Sequence, residues 1–260
     1  MDEKKIVIIG GTGGMGLSAA RAFLERGARV VAVGPDNESC NSTRETLPSE
    51  AVVIQGDATR EATARDAIER CRESFGGFDG LYHVAGGSGR KWGDGPLHEL
   101  SLDGWNKTFE LNLTSLMLSN RAAVRAFMEQ EAGGAILNMG SVLGFSPSPE
   151  YFTTHAYAAA KAAVIGFTTS IAARYARHNI RVNVIAPGLV DTPMARRAAA
   201  DTDIMRFIKT KQPLGQKGIA RPEDLDGAAC YFMSDESRFT TGQVLAVDGG
   251  WSISEGQYRE

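Results

Sequence analysis

Tyr157 and Lys161 stand four residues apart with Ala158, Ala159 and Ala160 between them, and on a helix that spacing puts a phenol and an ammonium on one face. A free tyrosine titrates near ~10, so about one molecule in a thousand is phenolate at neutral pH, and a fixed cation beside it favours the ion. Each pKa unit is worth about 1.4 kcal/mol. A tyrosine lowered by about two or three units is a general acid/base near neutral pH. The expectation is that Lys161 lowers Tyr157. Alanine-rich solvated helices show the same spacing, so the rest of the chain must decide.

Apolar runs of strand length alternate with segments of helical period, the pattern of βαβ units and a parallel sheet buried on both faces. Strands are expected at Lys5–Ile9, Arg29–Val33, Ala51–Gln55, Gly80–Val84, Ala135–Met139, Arg181–Ile185 and Gln243–Val247. Helices are expected at Met15–Arg26, Arg60–Phe75, Leu102–Glu131, Thr154–His178 and Pro222–Met233. The reading is one α/β domain over residues 1–260, a doubly wound seven-stranded parallel sheet with helices on both faces. Residues 188–218 are charged and short on sheet pattern, as expected of a flap over substrate. Met194, Met205 and Phe207 either line that flap or pack beneath it.

The first strand runs into Gly10-Gly11-Thr12-Gly13-Gly14-Met15-Gly16 and then a helix. Glycines there permit a tight turn and close approach of backbone to a pyrophosphate, and the helix N-terminus attracts the anion. Together with Tyr157 and Lys161, the spacing Gly10-x3-Gly14-x-Gly16 resembles the short-chain dehydrogenase/reductase family over nearly the whole chain. The family has a single Rossmann domain. Asn112 in Asn-Leu-Thr-Ser, Ser141 after the fifth strand, Asn183-Val-Ile-Ala-Pro187-Gly188 and Gln243-Val-Leu-Ala-Val-Asp248-Gly249-Gly250 match its motifs in order. The resemblance implies that Asn112, Ser141, Tyr157 and Lys161 are catalytic. It places Gly10, Thr12, Gly14, Met15, Gly16, Asp57, Ala58, Ala85, Gly86, Tyr157, Lys161, Pro187, Gly188, Val190 and Thr192 along a dinucleotide. Asp57 falls at the adenine and Thr192 at the nicotinamide carboxamide.

The chain also departs from the family. Ile9 stands where a threonine is usual, His83-Val84-Ala85-Gly86 replaces Asn-Asn-Ala-Gly, and the stretch from Ser141 to Tyr157 is longer through Pro147, Pro149, Tyr151 and His155. His83 reads as a satisfied interior residue, and the longer stretch as a rim of the substrate pocket. After the second strand comes Val33-Gly34-Pro35-Asp36. A carboxylate at Asp36 would bond a ribose hydroxyl and repel a 2'-phosphate, so NAD(H) is favoured, with NADP(H) open.

In this reading a secondary alcohol and a ketone are interconverted by hydride transfer. Tyr157 gives or takes the proton, and Ser141 bonds the carbonyl oxygen. By the resemblance, Lys161 also contacts the nicotinamide ribose and Asn112 holds a relay water. On its residues alone, Asn112 is equally a helix-interior asparagine bonding backbone. Arg90 or Lys91 either meets an anionic substrate or is simply solvated. The alternative is a non-catalytic dinucleotide sensor or interaction protein on the same fold, which needs the glycines but has no use for Ser141, Tyr157 and Lys161 together.

The 260 residues carry a net charge of -3, which offers no electrostatic footprint for nucleic acid. The first apolar run, Ile6–Ile9, is too short for a signal core or a membrane span. A cytoplasmic protein is expected, with no membrane partner. Three scattered cysteines and four histidines without ligand spacing point to no disulfide framework and no metal. By the resemblance, small-residue faces on the helices 102–131 and 154–178 imply a homotetramer, with a dimer as second choice.

Overall fold

The computed structural model describes residues 1–215 and 218–256. Seven parallel strands form one sheet: β1 (Lys5–Ile9), β2 (Arg29–Gly34), β3 (Val52–Gln55), β4 (Gly80–His83), β5 (Gly134–Met139), β6 (Ile180–Pro187) and β7 (Val244–Val247). Their order is β3-β2-β1-β4-β5-β6-β7, with Ile9 paired to Val33 on one side and His83 on the other. Chain direction reverses its progress at β1 and β4, and ligands of such sheets bind outside the carboxyl ends of those strands.

Alternation along the strands builds two cores. Ile6, Ile8, Val30 and Ala32 face one, with Phe23 and Phe232, while Val7, Ile9, Val31 and Val33 face the other, with Phe78 and Phe127. The helices between strands are α1 (Gly14–Glu25), α2 (Asn37–Thr46), α3 (Glu61–Phe75), α4 (Leu102–Phe109), α5 (Ser115–Gln130), α6 (His155–Tyr175), α7 (Arg196–Ala199), α8 (Thr202–Lys211) and α9 (Asp226–Met233).

Two expectations need correction. The single helix from Leu102 to Glu131 is divided by a π turn over Glu110–Thr114, and Asn112 sits in it. A helix unseen in the pattern, α2, follows β2. The segment 188–218 contains α7 and α8, whose Ile204 and Ile208 pack with Val142 and Trp251. Its residues 216 and 217 lie outside the described residues, as does most of the tail from Gly256 to Glu260.

By length and composition, His155–His178 is apolar enough to cross a membrane, yet Ala156, Ala160, Val164 and Ala172 on it are buried in the fold. Asn120 and Asn138 exchange amide bonds of 2.8 and 2.9 Å, and Asn138 also donates to Thr168 Oγ1 at 3.0 Å. That buried network ties α5 and α6 to β5. The cost of burying amides is offset only when they are paired.

Candidate active site

The glycine turn needs its glycines. Gly10 has φ +88° and Gly14 φ +46°, values that side-chain-bearing residues rarely adopt. A Cβ on Gly10 would lie 2.7 Å from Ala85 N, and one on Gly16 would strike the Gly10 carbonyl. Helix α1 begins here without a side-chain cap, and a Cβ on Gly13 would meet nothing within 4 Å. An uncapped helix N-terminus facing open space could hold a pyrophosphate. Thr192 lies across it, its Cγ2 3.1 Å from where a Gly14 Cβ would stand.

Beyond the cradle is a cleft with about 1130 Å³ of empty volume, including its open mouth. Of the residues expected at the site, Met15, Gly86, Asn112, Ser141, Tyr157, Lys161, Pro187, Gly188, Val190 and Thr192 line it. Gly10, Thr12, Gly14, Gly16, Asp36, Asp57, Ala58 and Ala85 do not. Ser141 follows β5, directly after Gly140, and its Oγ accepts Leu143 N at 3.2 Å. Lys161 is 3% exposed and donates to the Met139 carbonyl at 2.9 Å, with its Nζ 5.6 Å from the Tyr157 ring centre. A Cβ on Gly86 would approach Asn112 Oδ1 to 2.7 Å and Lys161 Nζ to 3.6 Å. The bare glycine lets both polar groups in.

Titration behaviour differs from expectation. Burial pushes the Tyr157 phenol up to about 12, offset in part by a hydrogen bond with Ser141. Lys161 does not lower it. Burial instead pushes Lys161 down to about 8: both groups are desolvated, and at the floor of a narrow cleft the loss of water outweighs their interaction. The phenol is therefore protonated at neutral pH.

Asn112 bonds backbone. Its Nδ2 donates to Thr108 O at 2.9 Å and Gly87 O at 2.8 Å, and its Oδ1 accepts Gly87 N at 3.2 Å. The π turn places this side chain between α4 and the strand β4 loop; such turns recur at functional sites. His83 is 1% exposed, with Nδ1 2.7 Å from Ser119 Oγ and Nε2 3.4 Å from Ser115 Oγ. Burial and the Lys161 charge push it down to about 3, which makes it a neutral interior residue as expected.

Asp36 and Asp57 have local partners. Asp36 Oδ1 accepts Ser39 N at 2.8 Å and caps α2. Asp57 Oδ1 accepts Thr59 N at 2.9 Å and Thr59 Oγ1 at 2.7 Å, bonds that lower its carboxyl. A side chain on Gly34, at the end of β2, would collide with that of Thr12.

The role of Asp94 and the place of Trp251 were not foreseen, whereas Leu143 and Phe152 fall in the stretch expected to rim the pocket and Leu189 and Met194 in the segment expected to cover it. Asp94, 4% exposed, accepts Ala156 N through Oδ1 and Tyr157 N through Oδ2, both at 3.0 Å. Helix α6 has no side-chain cap from Thr154, so a carboxylate from the loop after β4 caps it instead and holds Tyr157 by its backbone. Such a charge at a helix N-terminus also suits the dipole. Asp94 lies 62 positions before Ala156, a separation no local pattern reveals. Phe152 and Trp251 stack edge to face at 5.6 Å and line the cleft with Leu143, Leu189 and Met194. Phe207 stands edge-on to Trp251 at 6.0 Å, beneath the lining.

This arrangement has known counterparts. A family model described as enoyl-(acyl carrier protein) reductase matches residues 10–252. Cis-4-hydroxycyclohexanecarboxylate dehydrogenase of Sinomonas cyclohexanicum is 35% identical over 253 residues, 96% of this chain and 97% of that protein. 2-(S)-hydroxypropyl-CoM dehydrogenase 3 of Xanthobacter autotrophicus is 33% identical over 257 residues, with 96% and 97% covered. A crystal structure of a short-chain type dehydrogenase/reductase from Mycobacterium marinum superposes with a TM-score of 0.87 at 27% identity, covering 97% of this chain and 96% of that one. The chain belongs to the short-chain dehydrogenase/reductase family. It is an oxidoreductase, of a family that generally uses a nicotinamide dinucleotide.

Proposed function

We propose that this protein interconverts a secondary alcohol and a ketone with NAD(P), Tyr157 being the general acid/base. The observation that carries the reading is the meeting of Ser141, Tyr157 and Lys161 in one cleft, next to an uncapped helix N-terminus fitted for a pyrophosphate. The two named relatives are dehydrogenases of hydroxylated compounds, which supports the same class of reaction here.

Gly10, Thr12, Gly14, Met15 and Gly16 would hold the pyrophosphate, Asp57 and Ala58 would border the adenine, and Ala85, Gly86, Pro187, Gly188, Val190 and Thr192 would border the nicotinamide half. When bound, the nicotinamide supplies or accepts the hydride. Ser141 Oγ donates a hydrogen bond to the carbonyl oxygen and stabilises the charge that develops there. Tyr157, protonated at neutral pH because burial holds it up to about 12, delivers its proton to that oxygen. Lys161, cationic below about 8, would contact the nicotinamide ribose. Oxidation is the reverse and needs Tyr157 as the phenolate, reached by loss of its proton to solvent, whose oxygen then takes the alcohol proton. Asn112 keeps the Gly87 backbone in place and, through its Oδ1, is positioned for the relay to Lys161.

NAD(H) is the favoured cofactor. Gly34 offers no side chain to the ribose, and Asp36 Oδ2 has no hydrogen-bond partner among the described residues, which suits a 2'-hydroxyl and repels a 2'-phosphate. Residues 188–218 form the flap over substrate. Exposed Val244 and Leu245 on β7 and the small-residue face of α6 support a homotetramer, with a dimer second.

The test is an absorbance screen of alcohols and ketones with NAD(H) and NADP(H). The proposal expects turnover of a secondary alcohol or its ketone, with NAD(H) the better partner. Equal or better efficiency with NADPH overturns the cofactor preference, and dinucleotide binding without any turnover favours a sensor.

A further inference from the structure

The charges around the cleft are one-sided. Among its described lining residues are three cations, Lys161, Arg90 and Arg197, and no aspartate or glutamate. Lys161 is buried and committed to the Met139 carbonyl. Arg90 and Arg197 come from different elements, the loop after β4 and helix α7, and reach the same cavity. Neither has a carboxylate within 4 Å among the described residues, whereas Arg29, Arg72, Arg121 and Arg206 each do.

The two guanidiniums feel each other. Burial and the Arg197 charge both depress Arg90, and Asp94 only partly offsets them. Asp94 makes no ion pair with Arg90 within 4 Å among the described residues; its oxygens accept the backbone N–H groups of Ala156 and Tyr157. Arg197 makes one long contact, 3.4 Å to the carbonyl of Tyr151. That contact ties it to the long stretch between Ser141 and Tyr157, not to the glycine turn. Lys91, by contrast, lies over the Trp92 ring at 4.2 Å and is not among the residues lining the cleft. Both cations line one cleft with no acid among its described lining residues, and an anion bound between them would be stabilised by both. The rest of the wall, Leu143, Phe152, Met194 and Trp251, is apolar.

We infer that Arg90 and Arg197 form a clamp for an anionic group of the substrate, so that the alcohol or ketone acted on carries a carboxylate or a similar oxyanion on an apolar skeleton. The inference rests on the oxidoreductase reading of the same cleft. A small hydroxy or keto acid is bound with its acid at the mouth and its reacting carbon at Ser141 and Tyr157.

Two measurements test the clamp separately from the chemistry. First, cyclohexanecarboxylate and its neutral amide are titrated by calorimetry into wild type and Arg90→Met/Arg197→Met, with and without NAD(H). Second, 4-oxocyclohexanecarboxylate and its neutral amide are compared as substrates. The clamp predicts an acid-over-amide preference of about 10- to 100-fold, the worth of charge-assisted hydrogen bonds, collapsing to near unity in the double variant. Both guanidiniums are exposed, so the variant keeps its core. Equal binding of acid and amide, binding of neither, or preferred turnover of the amide overturns the clamp. A variant that loses NAD(H) affinity by the same factor assigns the arginines to the cofactor phosphates and overturns it too. Acid-selective binding without turnover of either ketone supports the clamp and excludes these two compounds as substrates.

Discussion

Lys161→Met should cost the enzyme its turnover while leaving the dinucleotide-free fold at least as stable at neutral pH. The lysine is 3% exposed and burial brings it from 10.5 to about 8. At about 1.4 kcal/mol per pKa unit, holding the cation inside the native protein costs roughly 3 kcal/mol. Methionine is of similar length and carries no charge, so below pH 8 the variant is relieved of that cost. The sign follows from proton counting. Between about 8 and 10.5 the unfolded wild type holds a proton that the folded one has lost, so its stability rises with pH through that window. The variant has no such gain. Its advantage over wild type should shrink by roughly 3 kcal/mol from pH 8 to 10.5, at up to about 1.4 kcal/mol per pH unit. Urea unfolding of both proteins across this range measures the difference, in which other titrating groups cancel. Tyr157, near 12, lies outside the window. A difference that stays flat with pH, together with a variant weaker at pH 7 by several kcal/mol, would refute the desolvated-cation account.

Two further substitutions probe the scaffold. Asp94→Ala leaves the Ala156 and Tyr157 amides without their buried acceptor and should cost about 1–3 kcal/mol of stability; kcat should fall more than KM rises, and Asp94→Asn should recover part of both. An unchanged melting temperature and unchanged kcat would show that the cap does not hold Tyr157. Gly16→Ala drives a Cβ into the Gly10 carbonyl, so dinucleotide affinity by titration should fall by at least about tenfold, with stability reduced by more than ~1 kcal/mol. Affinity equal to wild type would mean the turn is not the pyrophosphate cradle.

The sheet was legible because each strand is a short apolar run whose alternate residues feed two separate cores, Ile6 and Ile8 to one, Val7 and Ile9 to the other. Ser141, Tyr157 and Lys161 were legible because each lies at a fixed offset from a strand end or along one helix face. Helix α2 was not, since Asn37–Thr46 is polar, buries only Cys40 and Thr43, and gets its start from the Asp36 cap. The π turn at Asn112 was hidden within an otherwise continuous helical pattern. Asp94 and Arg197 escaped because their roles depend on contacts with α6 and the cleft that only the fold creates. The direction of the Tyr157 shift was misjudged for a related reason: spacing shows the nearby cation but not the loss of water around both groups.

Tyr157→Phe tests the central claim most directly. It removes one oxygen from the cleft floor and leaves the glycine turn, Lys161 and the Asp94 cap in place. With the carbonyl substrate found by the screen, reduction should fall by at least about 100-fold while NAD(H) affinity stays within about twofold of wild type. Turnover within about tenfold of wild type would contradict the assignment of Tyr157 as the proton donor.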